Sequence, residues 1–98
     1  MRVVSKSALV NFWKIHPEAE SRLEAWHAVL KQCCATNHSE LKQTFGSADY
    51  VPSRFTVFDV GNGYRVVAAI HYNTQTAYIR EVLTHAEYDK WTKQNRKK

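Results

Sequence analysis

The spacing of hydrophobic and polar positions changes once along the chain, dividing it into a helical first half and a stranded second half. Residues 1–4, MRVV, are short and β-branched and predict a first strand. From Ser5 to His16 the apolar residues Leu9, Phe12, Trp13 and Ile15 fall on one helical face, and Pro17 interrupts it. Pro17, Glu18 and Glu20 then open a second helix, because proline suits a first turn and acids suit the positive end of the helix dipole. Its buried stripe is Leu23, Trp26, Leu30 and Cys33 or Cys34. Almost no linker separates the two helices, so they form a hairpin. Ser39–Phe45 predicts a further short helix closed by Gly46, and residues 46–53, GSADYVPS, read as a loop.

After that loop the period becomes two. Arg54–Val60, Tyr64–Tyr72 and Thr76–Leu83 are rich in Val, Ile, Tyr and Phe and predict three strands of an antiparallel meander. Gly61-Asn62-Gly63 is a tight-turn signal between the first two, and Asn73-Thr74-Gln75 makes the second turn. On the middle strand Tyr64, Val66, Ala68, Ile70 and Tyr72 share one face, while Arg65, Val67, Ala69 and His71 share the other. The first set is bulkier and is expected to face the core, leaving Arg65 on an open face. Arg80 aligns with Tyr78 and Val82, and whether it shares a face with Arg65 depends on a register that the pattern leaves open. The chain thus reads as one α+β domain, with an antiparallel sheet joined by the first strand and covered on one face by the helices.

Composition changes this picture little. Ninety-eight residues, 44% hydrophobic and 12% aromatic, supply one modest core and argue against disorder. No apolar run approaches the roughly 20 residues of a membrane span, and the first residues lack a secretory-signal pattern, so a cytoplasmic protein is expected. The net charge of +5 favours polyanionic or acidic partners, although part of the excess lies in residues 93–98, which read as a solvated basic tail. Cys33 and Cys34 are adjacent, which makes a mutual disulfide strained, and no zinc spacing is present.

Candidate chemistry gathers in GYRVVAAIHYNTQTAYIREVLTHAEYDK, residues 63–90. Arg65 and Arg80 stand on strands that lead into Thr84-His85-Ala86-Glu87, a capping-box sequence. His85 then takes the first helical position and Tyr88 the fourth, at a helix end that presents free amides to an anion. Arginine forks, an imidazole, a phenol and the amine of Lys90 together suit phosphate handling. Each also has a structural reading: a solvated or ion-paired arginine, a helix-start histidine, an anchoring tyrosine. His71, Arg54 and Lys42 are weaker candidates for contacts with RNA. There is no Gly-rich phosphate loop, no Ser-His-Asp order and no metal-ligand cluster, so RNA cleavage, if the chain performs it, is expected to need neither metal nor cofactor.

The opening RVVSKSALVNFWKIHPEAESRLEAWHAVLK, the GNGYRVVAAIHYN hairpin and the closing YIREVLTHAEYDK together resemble the HigB family of bacterial toxins, within the wider RelE-like group. The resemblance implies a small RelE-like fold and an endoribonuclease that cuts messenger RNA, commonly on the translating ribosome. It implies a helix-turn-helix antitoxin, HigA, and contact with operator DNA only through their complex. It also implies attack by the RNA 2′-hydroxyl on its own phosphate, leaving a cyclic phosphate. In that scheme Arg65 and Arg80 stabilise charge, His85 is base or acid, Tyr88 is a second acid/base or a stacking contact, and Lys90 touches phosphate. The closely spaced lysines of the best-known RelE-type site are missing, with Lys42 and Arg54 only loose substitutes, which favours His85 as base. The competing expectation is an RNA- or ribosome-binding module that blocks translation without cutting.

Overall fold

The computed structural model describes residues 1–52 and 54–95. Strand β1 (Arg2–Val4) is followed by helix α1 (Lys6–Ile15), a 3₁₀ turn over Pro17–Ala19, and helix α2 (Glu20–Gln32). Helix α3 (His38–Thr44) comes next, then strands β2 (Asp49–Val51), β3 (Phe55–Gly61), β4 (Tyr64–His71) and β5 (Thr76–Leu83), and finally helix α4 (His85–Asn95). The strands form one sheet in the order β1-β5-β4-β3-β2. The expected meander is β3-β4-β5, and β1 joins it as a parallel edge strand on β5.

The helical stripes explain the first layer. Leu9, Leu23, Trp26, Leu30 and Cys33 are buried against Phe58, Val66, Ala68 and Ile79. Each fully buried side chain of this kind contributes roughly 1.5–3 kcal/mol. Cys34 is exposed, so Cys33 completes the α2 stripe. The Met1 ammonium donates to the carbonyls of Lys31 and Cys33 at 2.9 and 2.7 Å, fixing the start of β1 at the negative end of α2.

Three expectations are corrected. Ile15 is 76% exposed, because the stripe has rotated away from the core by the last turn of α1. Residues 49–51 are not loop but β2, paired antiparallel with β3 through Asp49↔Val57 and Val51↔Phe55. Three residues with only Val51 buried carry too little alternation to announce a strand. The far face of the sheet is not open either. α4 crosses it, and Val51, Val57, Val67, Leu83 and Trp91 form a second, smaller core there.

The basic tail expected at residues 93–98 divides. Lys93 belongs to the last turn of α4, and residues 96–98 lie outside the described residues. No helix among the described residues is long and apolar enough to cross a membrane.

Candidate active site

Two local signals converge at the start of α4. The capping box is formed: the Thr84 amide donates to Glu87 Oε1 at 2.9 Å, and the Glu87 amide donates to Thr84 Oγ1 at 3.3 Å. The β3–β4 hairpin turn abuts this helix start. Gly63 has φ +82°, and a Cβ built on it would lie 3.1 Å from His85 Cβ. Only glycine accepts both that backbone conformation and that approach. His85 is thus positioned by the turn below it and the cap behind it, while its side chain is 69% exposed with Nε2 3.7 Å from Asp89 Oδ2.

Arg65 lies one residue into β4, facing α4. Its cross-strand partners are Asp59 on β3 and Leu83 on β5. Nη1 lies 3.3 Å from Asp59 Oδ1 and donates to the Tyr64 carbonyl at 3.2 Å. The guanidinium sits 5.1 Å from the centre of the Tyr88 ring, which itself stacks on Trp91. Asp59 Oδ1 also accepts the Gly61 amide at 2.8 Å, so the turn orients the carboxylate that orients the arginine. One position earlier, the Tyr64 hydroxyl donates to the Glu18 carboxylate, anchoring the start of β4 to the helical layer. That bond holds the Glu18 carboxyl below its usual range and pushes the Tyr64 phenol up. Arg65, Tyr88 and Asp59, with Ser47 and Asp49, line a cleft of about 190 Å³. Held on three sides, the planar guanidinium is suited to a phosphate oxygen with little reorganisation.

Arg80 shows why the register was unreadable. A β-bulge interrupts the β4–β5 pairing: Val67 faces Glu81, yet Ala68 faces Ile79, leaving Arg80 as the extra residue. Arg80 stacks over Tyr78 at 5.6 Å, and Tyr78 pairs with Ala69 on the Arg65 face of the sheet. Both arginines therefore serve one face. Val82, expected beside Arg80, is carried by the bulge to the other face, where it packs against the main core.

The remaining candidates separate. Arg80, Arg54 and His71 line a groove of about 470 Å³ toward the far end of β4, with the His71 ring edge-on to Tyr78. Arg65 and His71 are six residues apart, roughly 20 Å along the strand. Lys90 lines a third groove with Phe55, Glu81, Glu87 and Trp91. The Lys42 ammonium donates to the Ala48 carbonyl at 3.4 Å, which ties down the segment carrying Ser47. The structure thus brings Arg65 and Tyr88 into one cleft, places His85 at the adjoining helix start, and groups Arg80 with Arg54 and His71. Sequence reasoning missed Asp59 as a member of the cleft. The signal was available, since counting back from the Gly61-Asn62-Gly63 turn brings residue 59 opposite 65.

A family model described as HigB_toxin, the RelE-like toxic component of a toxin–antitoxin system, matches residues 19–91. The chain is 34% identical to the mRNA interferase toxin HigB of Escherichia coli strain K12 over 102 aligned positions, covering 100% of this chain and 97% of that protein. The same identity and coverage relate it to the mRNA interferase HigB of Shigella flexneri. With the mRNA interferase HigB of Escherichia coli O6:H1 it shares 28% identity over 96 positions, covering 95% and 93% of the two chains.

Proposed function

Because the chain belongs to the HigB family of RelE-like toxins, the toxic components of toxin–antitoxin systems, we propose that it is an mRNA interferase whose chemistry is centred on the Arg65 cleft. The observation that carries this reading is Arg65 itself, clamped between Asp59 and the Tyr88 ring beside the N-terminus of α4. A phosphate in the cleft meets a preoriented guanidinium and, on the adjoining helix turn, His85 and Tyr88.

In the proposed reaction the 2′-hydroxyl of one nucleotide attacks its own 3′-phosphate. Arg65 takes up the charge that develops on the phosphorane. His85 and Tyr88 are the acid–base candidates on α4, each of a kind that contributes about 10²- to 10⁴-fold. Products are a 2′,3′-cyclic phosphate and a free 5′-hydroxyl. The groove of Arg54, His71 and Arg80 holds the RNA strand beyond the cut, and Lys42 and Lys90 add positive charge at its margins. Supporting this path, the two arginines share one face although their sites differ.

The family description entails an antitoxin partner. We extend this to a HigA-like helix-turn-helix protein, to operator DNA bound only through that complex, and to action in the cytoplasm on the translating ribosome. The names of the relatives, each an mRNA interferase, support messenger RNA as the substrate.

The test is 5′-end mapping of a reporter mRNA in a cell-free translation reaction, using wild-type protein and His85→Ala. New in-frame ends that vanish in a folded mutant support cleavage with His85 in the chemistry. Blocked translation with intact mRNA would leave the non-cutting translation inhibitor instead.

A further inference from the structure

Asp59 sits uncomfortably in a cleft meant for a polyanion. A carboxylate 3.3 Å from Arg65 offsets the charge that should attract phosphate, and Asp49 lines the same cleft. A site built only to hold RNA would be better served by a neutral side chain at position 59. The bonding of Asp59 points to a different task. Oδ1 takes both the Gly61 amide at 2.8 Å and the Arg65 guanidinium, which fixes the plane of the carboxylate. Among the described residues the hydrogen bond to this carboxylate is made at Oδ1, by the Gly61 amide, and none is made at Oδ2. The side chain is 42% exposed, so RNA can reach it.

We propose that Asp59 is the general base that removes the 2′-hydroxyl proton, an inference that rests on the reading of the Arg65 cleft as the site of RNA cleavage. The attacking hydroxyl and the phosphate it attacks belong to the same nucleotide. A base for the first must therefore lie close to the cation that binds the second, and Asp59 touches Arg65. His85, more exposed and carried on the helix start, then serves the opposite side of the reaction. Asp59 Oδ2 takes the proton of the 2′-hydroxyl, and O2′ forms a bond to phosphorus. The bond from phosphorus to O5′ breaks, its electron pair stays on O5′, and His85 supplies the proton that neutralises it. Asp59 ends protonated and His85 deprotonated, and exchange with water resets both.

The experiment measures the rate of reporter-mRNA cleavage against pH in the cell-free reaction, for wild type, Asp59→Asn and Asp59→Glu, with thermal melting to confirm that each variant folds. Asp59→Asn keeps the hydrogen-bond acceptor for Gly61 but cannot take a proton. The expected result is a loss of about 10²- to 10⁴-fold in Asp59→Asn, unchanged cut positions in the residual product, and disappearance of the fall in rate on the acid side of the profile. Asp59→Glu should recover part of the rate. A folded Asp59→Asn that cleaves as fast as wild type, or faster, would overturn the proposal and make Asp59 a mere occupant of the arginine. A slower Asp59→Asn with an unchanged pH profile would also overturn it, since only the placement of Arg65 would then have suffered. If wild-type protein makes no new ends at all, the reading of the cleft itself falls, and the base with it.

Discussion

At the scale of single residues, the site depends on how few ways Arg65 can move. Its guanidinium is bounded by Asp59, the Tyr64 carbonyl and the face of Tyr88. Arg65→Ala is expected to lower cleavage by about 10²- to 10³-fold, the usual cost of removing one preorganised charge-stabilising donor. Arg65→Lys should restore little, because an ammonium lacks both the fork and the flat surface that stacks on Tyr88. Single-turnover rates on the reporter mRNA check both. Gly63 is the second sensitive residue. A Gly63→Ala variant places a methyl group 3.1 Å from His85 Cβ at φ +82°, so a loss of about 1–3 kcal/mol is expected, read as a shifted urea midpoint. Residue types alone singled out Arg65, His85 and Tyr88 as candidates. They did not announce Asp59, because a lone aspartate on a strand carries no periodic signal and gains its meaning only from the residue opposite.

At the scale of elements, the sequence was most legible where a local rule acts. The Gly61-Asn62-Gly63 turn appears with positive φ at all three residues, and the Thr84–Glu87 box caps α4 as its spacing required. Thr84→Ala is therefore expected to cost about 0.5–2 kcal/mol. Its effect on cleavage should exceed its effect on overall stability, because the frayed turn is the one bearing His85. Comparing urea melts with cleavage rates at a temperature where the variant stays folded separates the two. Legibility failed where structure arises from pairing. The bulge at Arg80 shifts one strand against another by a single residue, and the face of Val82 follows from that shift. Hydrophobic alternation cannot encode it, since both arrangements bury a similar set. β2 escaped for the related reason that its ladder with β3, rather than its own composition, makes it a strand.

For the whole molecule, two layers pack unequally on one sheet, a large core under α1 and α2 and a small one under α4. The candidate cleft lies on the thinner side, joined to the thicker one through Tyr64 and Glu18. Stability should rise with pH across the acid range. Burial, with Lys6 and Lys31 nearby, lowers the pKa of His27, so the unfolded chain binds the proton more readily. That contribution is present above the ordinary histidine value and is lost as pH falls through it. Glu18 acts with the same sign in the carboxylate range, because its folded pKa is depressed and its contribution fades as pH drops below the unfolded value. Urea midpoints from pH 7.5 to 4 should fall, and His27→Gln should flatten the upper part of that fall. The edge pairing of β1 with β5 has a consequence during synthesis. The earliest strand must wait for one of the latest, and the helix bearing His85 and Tyr88 emerges later still. A nascent chain therefore cannot assemble the cleft while most of it has yet to be translated. Cleavage activity is expected only after α4 has been synthesised, and restraint by an antitoxin is not required before that point.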